Sequence, residues 1–163
     1  MAPERATASC FCGAVKLEFP VEGVDLVDTF ICNCTDCRTI TASMFASNFI
    51  IKNSSLKHLS GEDKLTKFAQ SQTIATGSTM ENSFCSVCGT LMYRRSSGFP
   101  TNSVLRIGTV DDFNLHDTKL KPRIEQFTKD RVGWFHGGEG VKQVEGNYYT
   151  GGKEWKDTGK HKM

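Results

Sequence analysis

Hydrophobic and polar positions alternate in short stretches along this chain. From Ala14 to Pro20, Val15, Leu17 and Phe19 fall on one side and Lys16 and Glu18 on the other, the period of a half-buried strand. Asn48 to Lys52 reads as a second strand. Leu56 to Ser60 and Lys64 to Phe68 flank Gly61-Glu62-Asp63 and predict a hairpin around a glycine turn. Met80 to Phe84 predicts a strand that delivers Cys85, and the stretch from Cys88 to Arg95 another that leaves Cys88. Ser103 to Ile107 and Arg123 to Phe127 complete the set, with a turn or short helix over Gly108 to Asp112. Thr39 to Ser47 is rich in small residues and has room for one helical turn. No stretch carries the period of a long amphipathic helix, and no internal repeat of fixed period occurs. The expected fold class is mainly β, with small antiparallel sheets and little helix. The 163 residues suit a single domain over 1–163, with a Gly- and Lys-rich tail from Gly151 expected to be flexible.

Composition narrows the function. The chain is 38% hydrophobic and 23% charged, ordinary values for a soluble globular protein. A net charge of +2 gives no case for nucleic acid or an anionic membrane as partner. The basic stretch from Lys153 to Lys162 is short and diluted by Glu154 and Asp157. No apolar run approaches the ~20 residues that span a bilayer. Met1 to Ser9 has no apolar core of a signal peptide, so the expected location is the cytoplasm, with the nucleus as the other possibility. The expected partner is therefore a small molecule.

The cysteines carry the candidate chemistry. There are seven, an odd number that argues against a disulfide framework. They fall in three clusters: Cys10-Phe11-Cys12, Cys32-Asn33-Cys34-Thr35-Asp36-Cys37 and Cys85-Ser86-Val87-Cys88. A C-x-x-C turn lets two sulfurs converge on one cation, and Gly89 after Cys88 supplies the positive φ such a turn needs. Cys10 and Cys12, read as an extended pair, point to one face, and Gly13 follows them. The two pairs together would complete a closed four-cysteine structural zinc site. Cys32, Cys34 and Cys37 are three ligands without an obvious fourth, which suits a zinc with one position open to water or substrate. Three thiolates weaken zinc as a Lewis acid and suit it to a soft external thiolate, and Arg38 beside Cys37 is placed to offset the negative charge. Two other groupings stand open at this point. One zinc could take Cys32, Cys34 and Cys37 with Cys85 or Cys88. Alternatively, Asp36 or a histidine could close the second site, although His58, His116, His136 and His161 all lie outside the clusters.

Ser9-Cys10-Phe11-Cys12-Gly13, Cys32-Asn33-Cys34-Thr35-Asp36-Cys37-Arg38 and Phe84-Cys85-Ser86-Val87-Cys88-Gly89-Thr90 resemble the three cysteine motifs of the glutathione-dependent formaldehyde-activating enzyme family, which includes the centromere protein V-like proteins. Ser103 to Asp111 resembles that family's strand followed by Gly-Thr-Leu-Asp, and Pro122 to Phe127 followed by Trp134 resembles its C-terminal pattern. The resemblance covers roughly residues 8 to 136. It implies a zinc-binding β-tent fold and two zinc ions per chain. Cys10, Cys12, Cys85 and Cys88 match the structural zinc ligands, and Cys32, Cys34 and Cys37 match the catalytic-type zinc. The implied activity is that of a carbon–sulfur lyase, joining formaldehyde to the thiol of glutathione or releasing it. Two positions depart from the pattern: Asn33 stands where a histidine is common, and Ala42 where a glycine is usual. A non-catalytic zinc binding module is the second reading; both departures bear on the substrate, so an enzyme of specialised metabolism with another substrate is the third. Arg38, Lys52, Arg94, Arg95 and Arg123 are candidates to receive glutathione's carboxylates. Phe45, Phe49, Phe84, Tyr93 and Phe99 are candidates to line a pocket, with core packing as the alternative for each.

Overall fold

The computed structural model describes residues 4–74 and 76–150. The tail from Gly151 lies outside the described residues. The chain is mainly β, as its alternation predicts, and its strands form two sheets.

The smaller sheet has the order β1 (Arg5–Ser9), β2 (Lys16–Pro20), β5 (Lys57–Ser60). The larger runs, from one edge to the other, β11 (Lys142–Gln143), β10 (Ile124–Gln126), β3 (Leu26–Cys32), β4 (Ala46–Lys52), β9 (Asn102–Arg106), β8 (Leu91–Ser96), β7 (Met80–Cys85), β6 (Leu65–Gln70). All pairs are antiparallel except those of β10, which runs parallel to both β3 and β11. Two short helices, α1 (Thr35–Thr41) and α2 (Asn114–Asp117), and several single 3-10 turns complete the described residues. None of these helices is long and apolar enough to cross a membrane.

The core lies between the sheets. Val15, Leu17 and Phe19 are fully buried, as their alternation predicts, and Phe19 packs on Phe49 of β4 with ring centroids 4.8 Å apart. Ile51, Met92, Tyr93 and Leu105 join them from the facing side of the large sheet. Each such side chain withdrawn from water contributes about 1.5–3 kcal/mol. Successive residues of a strand face opposite ways, so the even-numbered neighbours point to the other side of the large sheet. There Phe30, Ile50 and Ile124 form a second buried cluster with Cys32, Cys34 and Cys37. The register places Phe30, Asn48 and Arg106 in one row across β3, β4 and β9, and Ile50, Val104 and Arg94 in the next across β4, β9 and β8.

Two local expectations change. Lys57–Ser60 and Leu65–Gln70 are strands, but they do not form a hairpin: β5 pairs with β2 in the small sheet, and β6 with β7 in the large one. Gly61 and the 3-10 turn Glu62–Lys64 carry the chain from one sheet to the other. Gly61 has φ 71, and a Cβ there would stand 2.0 Å from the Ala14 carbonyl oxygen, so this corner is packed against the small sheet. Alternation marks a strand but not its partner. The helix near the middle cysteines also begins earlier than Thr39. It starts at Thr35 and ends at Thr41, leaving Ala46 to open β4.

Candidate metal centres and the adjoining cavity

The seven cysteines gather into two clusters. The Sγ atoms of Cys10, Cys12, Cys85 and Cys88 all lie within 4.8 Å of one another, and so do those of Cys32, Cys34 and Cys37. Cys85 and Cys88 therefore join the N-terminal pair and not the middle one, and no histidine or carboxylate enters either cluster among the described residues.

The four-cysteine cluster sits where two turns meet. Cys85 ends β7, and the turn through Cys88 closes with the Gly89 N–H donating to the Cys85 carbonyl at 2.8 Å. Cys10 and Cys12 are not in an extended strand: β1 ends at Ser9, and the chain turns so that the Gly13 N–H donates to the Cys10 carbonyl at 2.9 Å. Gly13 (φ 78) and Gly89 (φ 77) take the left-handed conformation that lets each turn reverse. The Val15 N–H donates to Cys10 Sγ at 3.2 Å, a bond that favours thiolate. Hydrogen bonds from the Thr90 hydroxyl and backbone hold the Cys88 thiol down at about 5. The same hydroxyl accepts from the Phe11 N–H at 3.1 Å and so ties the turns together.

The three-cysteine cluster is built on the end of β3 and the first turn of α1. Cys32 is the last residue of β3. Cys34 caps α1, its Sγ accepting from the Cys37 N–H at 3.4 Å, so the i, i+3 spacing folds both sulfurs onto one side of the helix start. Asn33 holds the link between strand and helix. Its backbone N–H donates to the Gln126 carbonyl at 3.1 Å, and its Nδ2 donates to Glu125 Oε1 at 2.9 Å. Glu125 is fully buried and paired with Arg131 at 3.1 Å. Asn33 thus supports the loop from behind and is not among the residues lining the cavity in front of it.

That cavity, about 520 Å³, is bordered by Cys32, Cys34 and Cys37 and by none of the other four cysteines. Its floor is the even-numbered face of the large sheet, with Phe30, Ile50, Val104, Arg94 and Arg106. Phe127 closes one wall. It is a non-glycine residue at φ 57, a conformation with a steric cost that the surrounding packing sustains.

Two guanidiniums lie beside the sulfurs, Arg106 buried and Arg94 part-buried. Arg94 Nη1 donates to Cys37 Sγ at 3.4 Å, and Arg106 Nη1 donates to Asn48 Oδ1. Hydrogen bonds from Cys32 and Cys34, followed by the charges of Arg94 and Arg106, hold the Cys37 thiol well below its ordinary range. Burial works against the charge of Arg94, but the thiolates outweigh it and raise its pKa. Burial brings Arg106 down to about 10, still protonated at neutral pH. The buried Arg106 and part-buried Arg94 beside three thiols favour negative charge at the cluster, and three sulfurs are a donor set for a soft divalent cation such as zinc. Both clusters therefore fit a metal ion.

The sequence-level candidates divide accordingly. Arg94 is in the site. Arg38 Nη1 instead donates to the Asp130 carbonyl at 3.0 Å, tying α1 to a loop. Lys52 pairs with Asp25, Arg95 with the Ser103 hydroxyl and Arg123 with Asp28. Phe99 lines the cavity, Phe84 lines a neighbouring groove, Phe49 and Tyr93 lie in the core, and Phe45 stacks on Phe135. Arg106 escaped the sequence reading. Its signal was positional: it lies two residues from Val104 on a strand whose odd positions are core.

The arrangement has known relatives. The family model of the glutathione-dependent formaldehyde-activating enzyme matches residues 5–130. The chain belongs to that family. The match takes in both cysteine clusters and Arg94 and Arg106, and ends at the loop that receives Arg38. Among solved structures, the chain is similar to the crystal structure of a Rhodobacter sphaeroides protein from a structural genomics programme. The two share 23% identity at a TM-score of 0.53, over 68% of this chain and 93% of that one, a likeness of fold. No curated protein matches the sequence.

Proposed function

We propose that this member of the family is a zinc-dependent carbon–sulfur lyase. It joins a thiol such as glutathione to a small carbonyl compound, or releases it, at the cluster of Cys32, Cys34 and Cys37. One observation carries this reading: three buried cysteines, and only those, open onto a cavity shared with the buried Arg106 and the part-buried Arg94. Cys10, Cys12, Cys85 and Cys88 would hold a structural zinc, and Cys32, Cys34 and Cys37 a second zinc with one position free. Bound there, zinc supplies a soft Lewis acid that favours the thiolate form of an incoming thiol.

The chain's own residues do the rest. The cavity walls exclude water and strengthen the electrostatics inside. Addition breaks the thiol S–H bond and forms a sulfur–carbon bond; the carbonyl π electrons move onto oxygen, which takes up the proton the thiol has lost. Release runs the same steps backward and breaks the sulfur–carbon bond. Arg94, beside Cys37, is placed to meet the negative charge that develops on oxygen. Arg94, rather than Arg38, balances the triad. Seven free thiols suit a reducing compartment, and we assign the activity to the cytoplasm.

The test is elemental analysis of protein purified without added metal, followed by turnover of formaldehyde and glutathione. New S–CH2–OH carbon is followed by NMR. The expected result is close to two zinc ions per chain and a signal that Cys34→Ser abolishes. One zinc per chain that metal titration does not raise, with no turnover of any thiol, would overturn the reading.

A further inference from the structure

Two differently lined spaces meet beside the triad. A groove of about 420 Å³ mixes Thr35, Gln70, Thr73 and Asn82 with Ile40, Phe68 and Phe84. The cavity of about 520 Å³ is instead walled by Phe30, Ile50, Val104, Phe127 and Tyr149. Asp36 and Arg94 border both. The groove's hydroxyl and amide side chains offer hydrogen bonds to a thiol such as glutathione. The apolar cavity falls in the size range that holds a ligand with a substantial carbon skeleton. Formaldehyde, one carbon and one oxygen, would leave nearly all of it unfilled and its aromatic walls without a partner.

The cavity also has a charged end. Arg106 is only 6% exposed, and while its Nη1 is taken by Asn48, its Nε and Nη2 have no hydrogen-bond partner. Those two nitrogens form one edge of the guanidinium, with the spacing that receives both oxygens of a carboxylate. Both arginines lie in the field of the three sulfurs, but Arg94 also bonds to Cys37 Sγ and lies near Asp36, leaving only its Nε without a partner. No carboxylate among the described residues bonds to Arg106. Leaving such donors buried and unpaired is costly, and a bound anion would remove the cost.

We propose that the carbonyl partner of this enzyme is an apolar carboxylic acid, an aryl or branched-alkyl oxo acid. Its apolar body lies against Phe30, Ile50, Val104 and Phe127, and its carboxylate bonds to the Nε–Nη2 edge of Arg106. The proposal rests on the cavity being the substrate site of the lyase reading. Its test is binding, which remains readable whether or not formaldehyde turns over.

The probes are 4-phenylbutanoate, its neutral amide and acetate, titrated by calorimetry into the full chain carrying its metal. The acid is expected to bind at least about tenfold more tightly than the amide, since one charge-assisted bidentate contact separates them. Acetate, which lacks the body, is expected to bind at least about tenfold more weakly than the acid. Arg106→Gln is expected to remove the preference for acid over amide while leaving amide affinity in place. Should that variant not fold, the wild-type comparison of acid with amide decides alone, and Val104→Phe, which narrows the cavity, is expected to weaken both. Equal binding of acid and amide would overturn the proposal. So would glutathione that displaces the acid and loses affinity equally in Arg106→Gln, because the arginine would then serve the thiol's own carboxylate.

Discussion

Ala42 ends α1 in the left-handed conformation, φ 51 and ψ 37, with its N–H bonded to the Arg38 and Thr39 carbonyls. A β-carbon is strained there, and glycine is the residue that helix ends favour at such a position. Ala42→Gly is therefore expected to stabilise the protein by about 0.5–1 kcal/mol, read as a higher denaturant midpoint at unchanged slope. An unchanged or lower midpoint would mean that the strain is relieved elsewhere. The departure at Ala42 is thus a matter of backbone energy. The one at Asn33 is a matter of support, because its side chain turns to Glu125 and away from the cavity. Neither residue lines the cavity beside the three cysteines, although both looked like substrate determinants in the linear motif. Their roles depend on which way the β3–α1 link faces, and spacing alone does not say.

At the scale of elements, the two sheets are joined by a polar contact as well as by the core. His58 of β5 bonds through Nε2 to the Tyr93 hydroxyl of β8 at 3.1 Å. Burial lowers the His58 pKa below its ordinary 6.5, opposed by Glu62 and aided by Arg95. The unfolded chain therefore takes up its proton at a higher pH than the folded one. The stability this residue contributes is present above about pH 6.5 and is lost as pH falls through and below that value. Denaturant midpoints compared at pH 8 and pH 5 are expected to fall with pH, and His58→Gln is expected to flatten part of that fall. A variant with the wild-type slope would show that the contact carries no such linkage. The strands themselves were readable from alternation. The pairing of β5 and β6 was not, because a glycine turn between two strands looks the same whether it closes a hairpin or passes the chain between sheets.

At the scale of the molecule, the two clusters have different structural duties. The four-cysteine cluster joins the turn after β1 to the turn between β7 and β8, so a metal there closes residues 10 to 88, nearly half of the chain, into a loop. The three-cysteine cluster draws on one short segment, residues 32 to 37, and closes almost nothing. Cys34→Ser is expected to keep the fold, lose one zinc per chain and shift the melting temperature by only a few degrees, the scale of about 1–2 kcal/mol in a domain of this size. Cys88→Ser is expected to lose soluble folded protein altogether, since metal-binding energy at a structural site is folding energy. Equal losses of thermal stability in the two variants would count against this division.

The local period of apolar residues settled that this is a β protein, and which side chains of β2 face the core, because a pleated strand repeats every second residue whatever its partner. Cysteine spacing, together with the small residue after each pair, likewise fixed that metal-type clusters exist, since these are properties of a few consecutive residues. Three things required the tertiary structure. One was which clusters merge, a choice made between turns far apart in the chain. Another was which cations meet the thiols, decided by strand register: Arg94 and Arg106 share a face with Cys32, while Arg38, the neighbour of Cys37 in sequence, follows a helix turn away to Asp130. The last was the shape and apolar lining of the cavity. It is assembled from one face of several strands, and no single stretch of sequence contains it.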